Sequence, residues 1–147
     1  MNPDFYDMLS AFTAEGVEYL LVGAQALAVH GVPRATGDLD LWVRATPENA
    51  SRVLAALRRF GAPLDQVSAA DFASEDVVFQ IGVAPHRIDL VTSIEGIEFK
   101  DAVTRRTTTV IQDLQIPVLG RDDFIANKRA VGRPKDLADI ASLEEQS

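Results

Sequence analysis

Three aspartates in this chain stand where an acid is out of place. Asp38 and Asp40 interrupt "GDLDLWV" (37–43) and Asp89 interrupts "HRIDLVT" (86–92), each flanked by apolar residues. Side chains alternate along a strand. A strand here puts Leu39, Leu41 and Val43 on a core face and Asp38, Asp40 and Trp42 on the other. The two aspartate Cα atoms are then roughly 6.6–7 Å apart, at a rise of about 3.3 Å per residue. Two carboxylates aimed at one point repel unless a cation lies between them. Mg²⁺ or Mn²⁺, which take hard oxygen ligands, removes that penalty. Taken alone, a D-x-D is better accounted for by a solvated strand edge. Asp89 shifts the balance: Ile88 and Leu90 take one face and Asp89 the other, so a neighbouring strand would supply a third ligand. Three carboxylates on two adjacent strands can hold two metal ions about 3.5–4 Å apart, the spacing of in-line phosphoryl or nucleotidyl transfer.

A second feature is the glycine in "LLVGAQALAV" (20–29), at a predicted strand end and directly before a predicted helix. Main-chain N–H groups at a helix start attract anions, and glycine lets a phosphate approach the backbone closely. On its own Gly23 reads as a packing glycine, and neither G-x-x-x-x-G-K-[ST] nor G-x-G-x-x-G is present. Its position matters more. Thirteen residues, 25–37, separate Ala24 from Asp38, enough for a short helix and a return to a neighbouring strand, so glycine and acids can flank one cleft.

The elements that must position these residues follow from periodicity. Phe5, Met8, Leu9 and Phe12 predict a helix over 3–14, ended by Gly16. "VEYLLVG" (17–23) is a strand, and "AQALAVH" (24–30) two short helical turns closed by Gly31 and Pro33. "LDLWV" (39–43) is the next strand. "TPENASRVLAALRRFG" (46–61) is the clearest helix, with Thr46 as N-cap, Pro47 first inside, an inward stripe of Val53, Leu54, Leu57 and Phe60, and Gly61 past its end. A helical turn in "SAADFAS" (68–74) precedes strands over 76–82 and 86–93, joined as a hairpin through "VAPH". A short helix over 98–106 leads to a second hairpin, "TTTVIQDL" and "QIPVLG", where Pro117 limits pairing. Helices over 121–132 and 133–145 follow, broken at Pro134. Interleaved strands and helices with at least one hairpin predict an α/β (α+β) fold: a mixed β-sheet covered by helices, with C-terminal helices.

Bulk properties narrow the function classes. At 147 residues, with 47% hydrophobic and 24% charged residues, the chain is expected to form a single domain over 1–147, its core at about 17–120 and a helical segment at about 121–145. The absence of cysteine excludes disulfides, zinc–thiolate sites and a cysteine nucleophile, and fits a reducing cytoplasm. The acidic N-terminus argues against a signal peptide, and the longest apolar stretch is too short to cross a membrane. A net charge of −8 disfavours a general nucleic-acid coat.

The combination of Val22-Gly23-Ala24, Asp38-Leu39-Asp40-Leu41 and Asp89 resembles the signature of the polymerase-β-like nucleotidyltransferase superfamily: an apolar residue, Gly, Gly or Ser, nine to thirteen residues, Asp-x-Asp/Glu, and a third acid on a later strand. With "HGVPRATGDLDL" and "IANKRAVGRPKDLADIASL", residues 17–143 look like the small bacterial nucleotidyltransferase-like proteins related to toxin–antitoxin and abortive-infection systems. The resemblance implies a nucleotidyltransferase fold and Mg²⁺- or Mn²⁺-dependent transfer of a nucleoside monophosphate from an NTP to a hydroxyl acceptor, with release of pyrophosphate. It makes Asp38, Asp40 and Asp89 catalytic and metal-binding. It gives the nucleotide to Gly23, Ala24, Arg34, Thr36 and Lys128. Ala24 departs from the pattern, which removes a hydroxyl contact and leaves the backbone N–H. Without the resemblance, Arg34 reads as a solvated loop arginine, and Lys128 as helix charge or a partner of Asp136 and Asp139. His30 is expected to cap or pack. The acceptor is a protein, tRNA or a small hydroxylated molecule; the acidic charge disfavours RNA. The rival expectation is a catalytically inactive module of this fold that pairs with a partner protein.

Overall fold

The computed structural model describes residues 2–34, 37–83 and 85–146. Helix α1, Pro3–Ala14, starts at Asn2, whose side chain accepts from the Asp4 N–H at 2.8 Å, and buries Phe5, Met8, Leu9, Ala11 and Phe12. Strand β1 is Tyr19–Val22 and α2 is Gly23–Val29. This differs from the predicted strand over 17–23 at both ends. The Asn49 side chain ties up Glu18, accepting from its N–H at 2.7 Å and donating to its carbonyl at 2.9 Å. Gly23, at φ +71°, turns the chain straight into α2, whose seven residues make the two helical turns expected there.

Strand β2, Asp38–Val43, leads to α3, Pro47–Phe60, which begins and ends as its residues predict. The Thr46 hydroxyl accepts from the Asn49 N–H at 3.2 Å, and Gly61 takes the left-handed conformation at φ +92°. Val53 and Leu57 are buried, whereas Leu54 and Phe60 are only partly so. The short α4, Ala69–Phe72, precedes the hairpin of β3, Val78–Ile81, and β4, Arg87–Val91. Then come α5, Phe99–Ala102, a 3-10 turn at Val103–Arg105, and the hairpin of β5, Thr107–Ile111, with β6, Leu114–Val118. Leu114, expected in the first strand of that hairpin, opens the second. The turn is the two-residue Gln112-Asp113, with Gln112 at φ +55° as a tight hairpin demands. Helices α6, Arg121–Val131, and α7, Pro134–Glu145, close the chain and pack together across Gly132 at φ +72°.

The six strands form one mixed sheet in the order β3-β4-β2-β1-β6-β5. β2 runs parallel to β4 and β1 parallel to β6, and the other neighbours are antiparallel. β2 and β4 therefore lie side by side in the sheet. Leu39, Leu41, Val43, Ile88 and Leu90 are fully or almost fully buried, as the alternation predicts. Trp42, expected on the open face beside the acids, is buried as well, because α5 brings Phe99 edge-on to its ring at 5.1 Å. Among the described residues no helix is long and apolar enough to cross a membrane.

Candidate active site

The parallel pairing of β2 with β4 places Asp40 directly beside Asp89, and Asp38 directly beside Arg87. All four residues lie on the same face, since each pair is two residues from the next along its strand. Buried neighbours set the direction of each acid: Leu39 and Leu41 around Asp40, Ile88 and Leu90 around Asp89. Gly23 joins them from the other side. Val22 pairs with Asp40 across the antiparallel β1–β2 ladder. A Cβ placed on Gly23 would come within 2.2 Å of an Asp40 carboxylate oxygen. Only glycine lets the main chain at the start of α2 lie this close to the acid, and no side chain caps that helix. The packing role expected of this glycine is thereby explicit: it packs against the acid itself.

Arg87 neutralises part of the cluster. Its Nε donates to Asp89 Oδ1 at 3.0 Å, and an Nη lies 3.4 Å from Asp38 Oδ2. The guanidinium thus bridges the outer two acids, and the hydrogen bond to Asp89, followed by the charges of Asp89 and Asp38, raises its own pKa. Asp40 is pushed up to about 6, first by burial, then by the charges of Asp89 and Asp38 and a hydrogen bond with Asp89; Arg87 pulls it down. Among the described residues no three acidic or histidine side chains are disposed to hold a metal ion as they stand. The donor chemistry nevertheless suits Mg²⁺ or Mn²⁺: three carboxylates on adjacent strands and no sulfur or imidazole. Arg87, about one-third exposed, is the counter-charge that the cluster holds as it stands.

The remaining expected nucleotide contacts are placed differently. Ala24 lies in the first turn of α2, next to Gly23. Thr36 lies outside the described residues. Arg34 ion-pairs with Asp139 of α7 at 2.5 Å. Lys128 of α6 pairs with Asp136 at 3.3 Å and Asp139 at 3.7 Å and stacks on the Phe124 ring, its Nζ 5.3 Å from the centroid. Arg133 completes this second cluster, bonding Asp136 at 2.7 Å. The pairing of Lys128 with Asp136 and Asp139, the plainer of its two readings, is present. Through Asp139 it is also linked to Arg34, which pairs with the same carboxylate. His30 packs, as expected: Nε2 lies 2.7 Å from the Leu119 carbonyl and the ring meets Phe124 edge-on.

Sequence reasoning passed over Arg87. The signal was available, because Arg87 stands two residues before Asp89 and so shares its face. A basic residue at a strand start resembles ordinary surface charge until the strand pairing is known.

No family model matches the chain, and no curated protein matches it. Solved structures do. A protein from Thermotoga maritima with a provisional nucleotidyltransferase assignment is 16% identical with a TM-score of 0.61, over 100% of this chain and 96% of that one. The lincosamide antibiotic adenylyltransferase LnuA, in a lincomycin-bound structure, is 15% identical with a TM-score of 0.58, over 100% of this chain and 98% of that one. At such identities the likeness is one of architecture. The mixed sheet, with its acids on adjacent parallel strands, is a nucleotidyltransferase fold.

Proposed function

We propose that the protein is a metal-dependent nucleotidyltransferase that moves a nucleoside monophosphate from an NTP to an acceptor hydroxyl. One observation carries this reading: the register that sets Asp40 beside Asp89 on the face where Gly23 brings bare main chain against Asp40. A structural role gives no reason to crowd three like charges around a glycine, since each costs stability without a cation. Asp38, Asp40 and Asp89 are the residues that would hold Mg²⁺ or Mn²⁺, and the bound cation supplies charge compensation at the phosphates. The main chain from Gly23 onward, including the Ala24 N–H, carries the triphosphate. Asp89 orients the acceptor hydroxyl in line with the α-phosphate and takes its proton. Arg87 swings out of the cluster towards solvent as nucleotide enters.

The Arg87 bridge and Ala24 favour a second reading, a nucleotidyltransferase-like module that does not catalyse and acts through a partner protein, as in a toxin–antitoxin pair. Titrating ATP, GTP, CTP and UTP in Mg²⁺ against the wild type, Gly23→Ala and Asp38→Ala/Asp40→Ala separates the two. We expect micromolar to millimolar binding of at least one NTP by the wild type and a loss of tenfold or more in both variants. No binding by the wild type, or binding indifferent to the aspartates, overturns the enzyme.

A further inference from the structure

Two strands end the sheet, β3 and β5, and each leaves one row of main-chain N–H and C=O groups unpaired. Such edges are ordinarily blunted by a lysine, a proline, a bulge or an inward-pointing charge, because the open row invites another strand. Thr107–Ile111 carries none of these: three threonines, a valine and an isoleucine, all β-branched, run in unbroken register. The hairpin fixes which groups face outward. Its two-residue turn makes Ile111–Leu114 a hydrogen-bonded pair, and bonded and non-bonded pairs alternate from there. Thr107, Thr109 and Ile111 therefore bond to β6, while the N–H and C=O of Thr108 and Val110 point away from it. Pro117, with no N–H to give, stands opposite Thr108, where the ladder asks for none. The Thr108 and Val110 side chains are exposed, Val110 at 66%.

The ends of the strand say what it accepts. Arg106 precedes it and the Gln112–Asp113 turn follows it, all three exposed. Arg106 donates to the Val103 carbonyl at 2.7 Å and Asp113 accepts from the Tyr6 hydroxyl at 2.5 Å, and among the described residues neither forms an ion pair. A two-fold antiparallel pairing centred on Thr109 sets Thr108 opposite the partner's Val110 and Val110 opposite the partner's Thr108, outward groups against outward groups. A slip of one residue would oppose outward groups to inward ones. The same centring lays Arg106 beside the partner's Gln112 and the partner's Asp113, and symmetry repeats the contact at the other end. On the core-facing side a cavity of about 720 Å³, lined by Phe5, Val29, Thr109 and Ile111 among others, opens beside the strand and leaves space for side chains of an added strand. β3 has no such self-complementarity. Glu75 and Asp76 precede it and Gly82 and Val83 follow it, so no cation answers the acids. Asp76, at φ +62° and bonded to Ser93, also takes the chain out of extended conformation there.

We infer that the open edge of β5 is an interaction surface for a second copy of this chain, the two six-stranded sheets joining edge to edge into one of twelve. The three acids lie on β2 and β4, with β1 and β6 between them and the interface, so both clusters stay open in the pair. The inference stands apart from the nucleotide reading and uses none of its residues.

Sedimentation velocity over roughly 1–300 µM, the range suited to a small interface, tests it. We expect the wild type to pass from a 16.0 kDa monomer to a species of twice that mass as concentration rises. Val110→Lys adds an edge lysine, and Thr108→Pro removes an outward donor without touching the β6 ladder. Both should stay monomeric throughout, with cooperative melting by circular dichroism showing that they fold. Arg106→Asp should weaken association tenfold or more, and Arg106→Asp/Asp113→Arg should restore it, a rescue that a merely structural role for either residue does not produce. Amide hydrogen exchange at Thr108 and Val110 should slow with rising concentration while exchange at Thr107, Thr109 and Ile111 does not change. A wild type that stays monomeric across the range overturns the inference. So does a dimer that persists in folded Val110→Lys and Thr108→Pro, one whose Thr108 and Val110 amides exchange as in the monomer, or a charge swap that restores nothing.

Discussion

Asp40→Asn should make the cation-free protein more stable at pH 8 and leave it unchanged near pH 4. Asp40 has its pKa raised from 3.8 to about 6, chiefly by burial, then by the charges of Asp89 and Asp38. A raised carboxyl means that the folded state holds a proton more tightly than the unfolded state. The favourable contribution is complete below the ordinary pKa near 4 and is lost as pH rises through 6. At pH 8 the folded chain carries an ionised Asp40 at a penalty of about two units times about 1.4 kcal/mol, or roughly 2–3 kcal/mol. Asparagine keeps the shape and a hydrogen bond for Asp89 while removing the charge. At about 2–4 °C per kcal/mol for a chain of this size, the melting temperature should rise on the order of 5–10 °C. Differential scanning calorimetry in EDTA at pH 8 and pH 4 measures it. Groups outside the cluster titrate alike in both proteins, so the pH dependence of their difference reports Asp40 and the neighbours coupled to it, Asp38, Asp89 and Arg87. Added Mg²⁺ should stabilise the wild type and not the variant. A variant no more stable than the wild type at pH 8, or an equal gain at pH 4, refutes the reasoning.

Two further outcomes follow from the same ion networks. Asp136, fully buried against Arg133 and Lys128, is lowered to about 2, first by the Arg133 hydrogen bond. Urea denaturation should therefore show the wild type losing roughly 2 kcal/mol as pH falls from about 4 to about 2. Asp136→Asn should lack that loss and be about 3 kcal/mol less stable at pH 7, since it removes the buried carboxylate that Arg133 and Lys128 share. Arg87 lowers the Asp40 carboxyl, so Arg87→Gln should move its titration above 6, followed by carboxyl-carbon NMR; an unchanged or lower value contradicts the bridge.

Legibility from sequence tracked the range of the interaction. Local chemistry was readable: Thr46, Pro47 and Gly61 bound α3 as expected because caps and left-handed glycines act within a turn. Alternation in "LDLWV" and "RIDLV" assigned the buried leucines and hence the direction of all three acids. The neighbouring of β2 and β4 was a condition attached to Asp89, and the sheet order meets it. Long-range pairings were not readable. Arg34 reaches Asp139, more than a hundred residues away, and Phe99 covers Trp42; neither leaves a periodic trace. The 17–23 strand lost its ends to two such effects, the Asn49 side chain at Glu18 and the positive φ of Gly23.

Three carboxylates on one face need compensation even in the absence of metal, and the structure supplies it from two sources. One is Arg87, tethered by the same ladder that aligns the acids, so its guanidinium arrives with them and at no cost in loop closure. The other is a proton, held by Asp40 up to a pH of about 6. Both are removable: the arginine is about one-third exposed and can rotate into water, and the proton is lost near neutrality. A divalent cation entering the cluster would displace both, so its binding should weaken below about pH 6, where it competes with the proton. Isothermal titration of Mg²⁺ across pH 5–8 reads that slope directly. Asp40→Asn should flatten the slope, because asparagine has no proton to give up. A cluster whose only task was to be neutral would need neither a removable arginine nor a glycine exposing main chain beside it; the combination fits a site that exchanges one form of compensation for another.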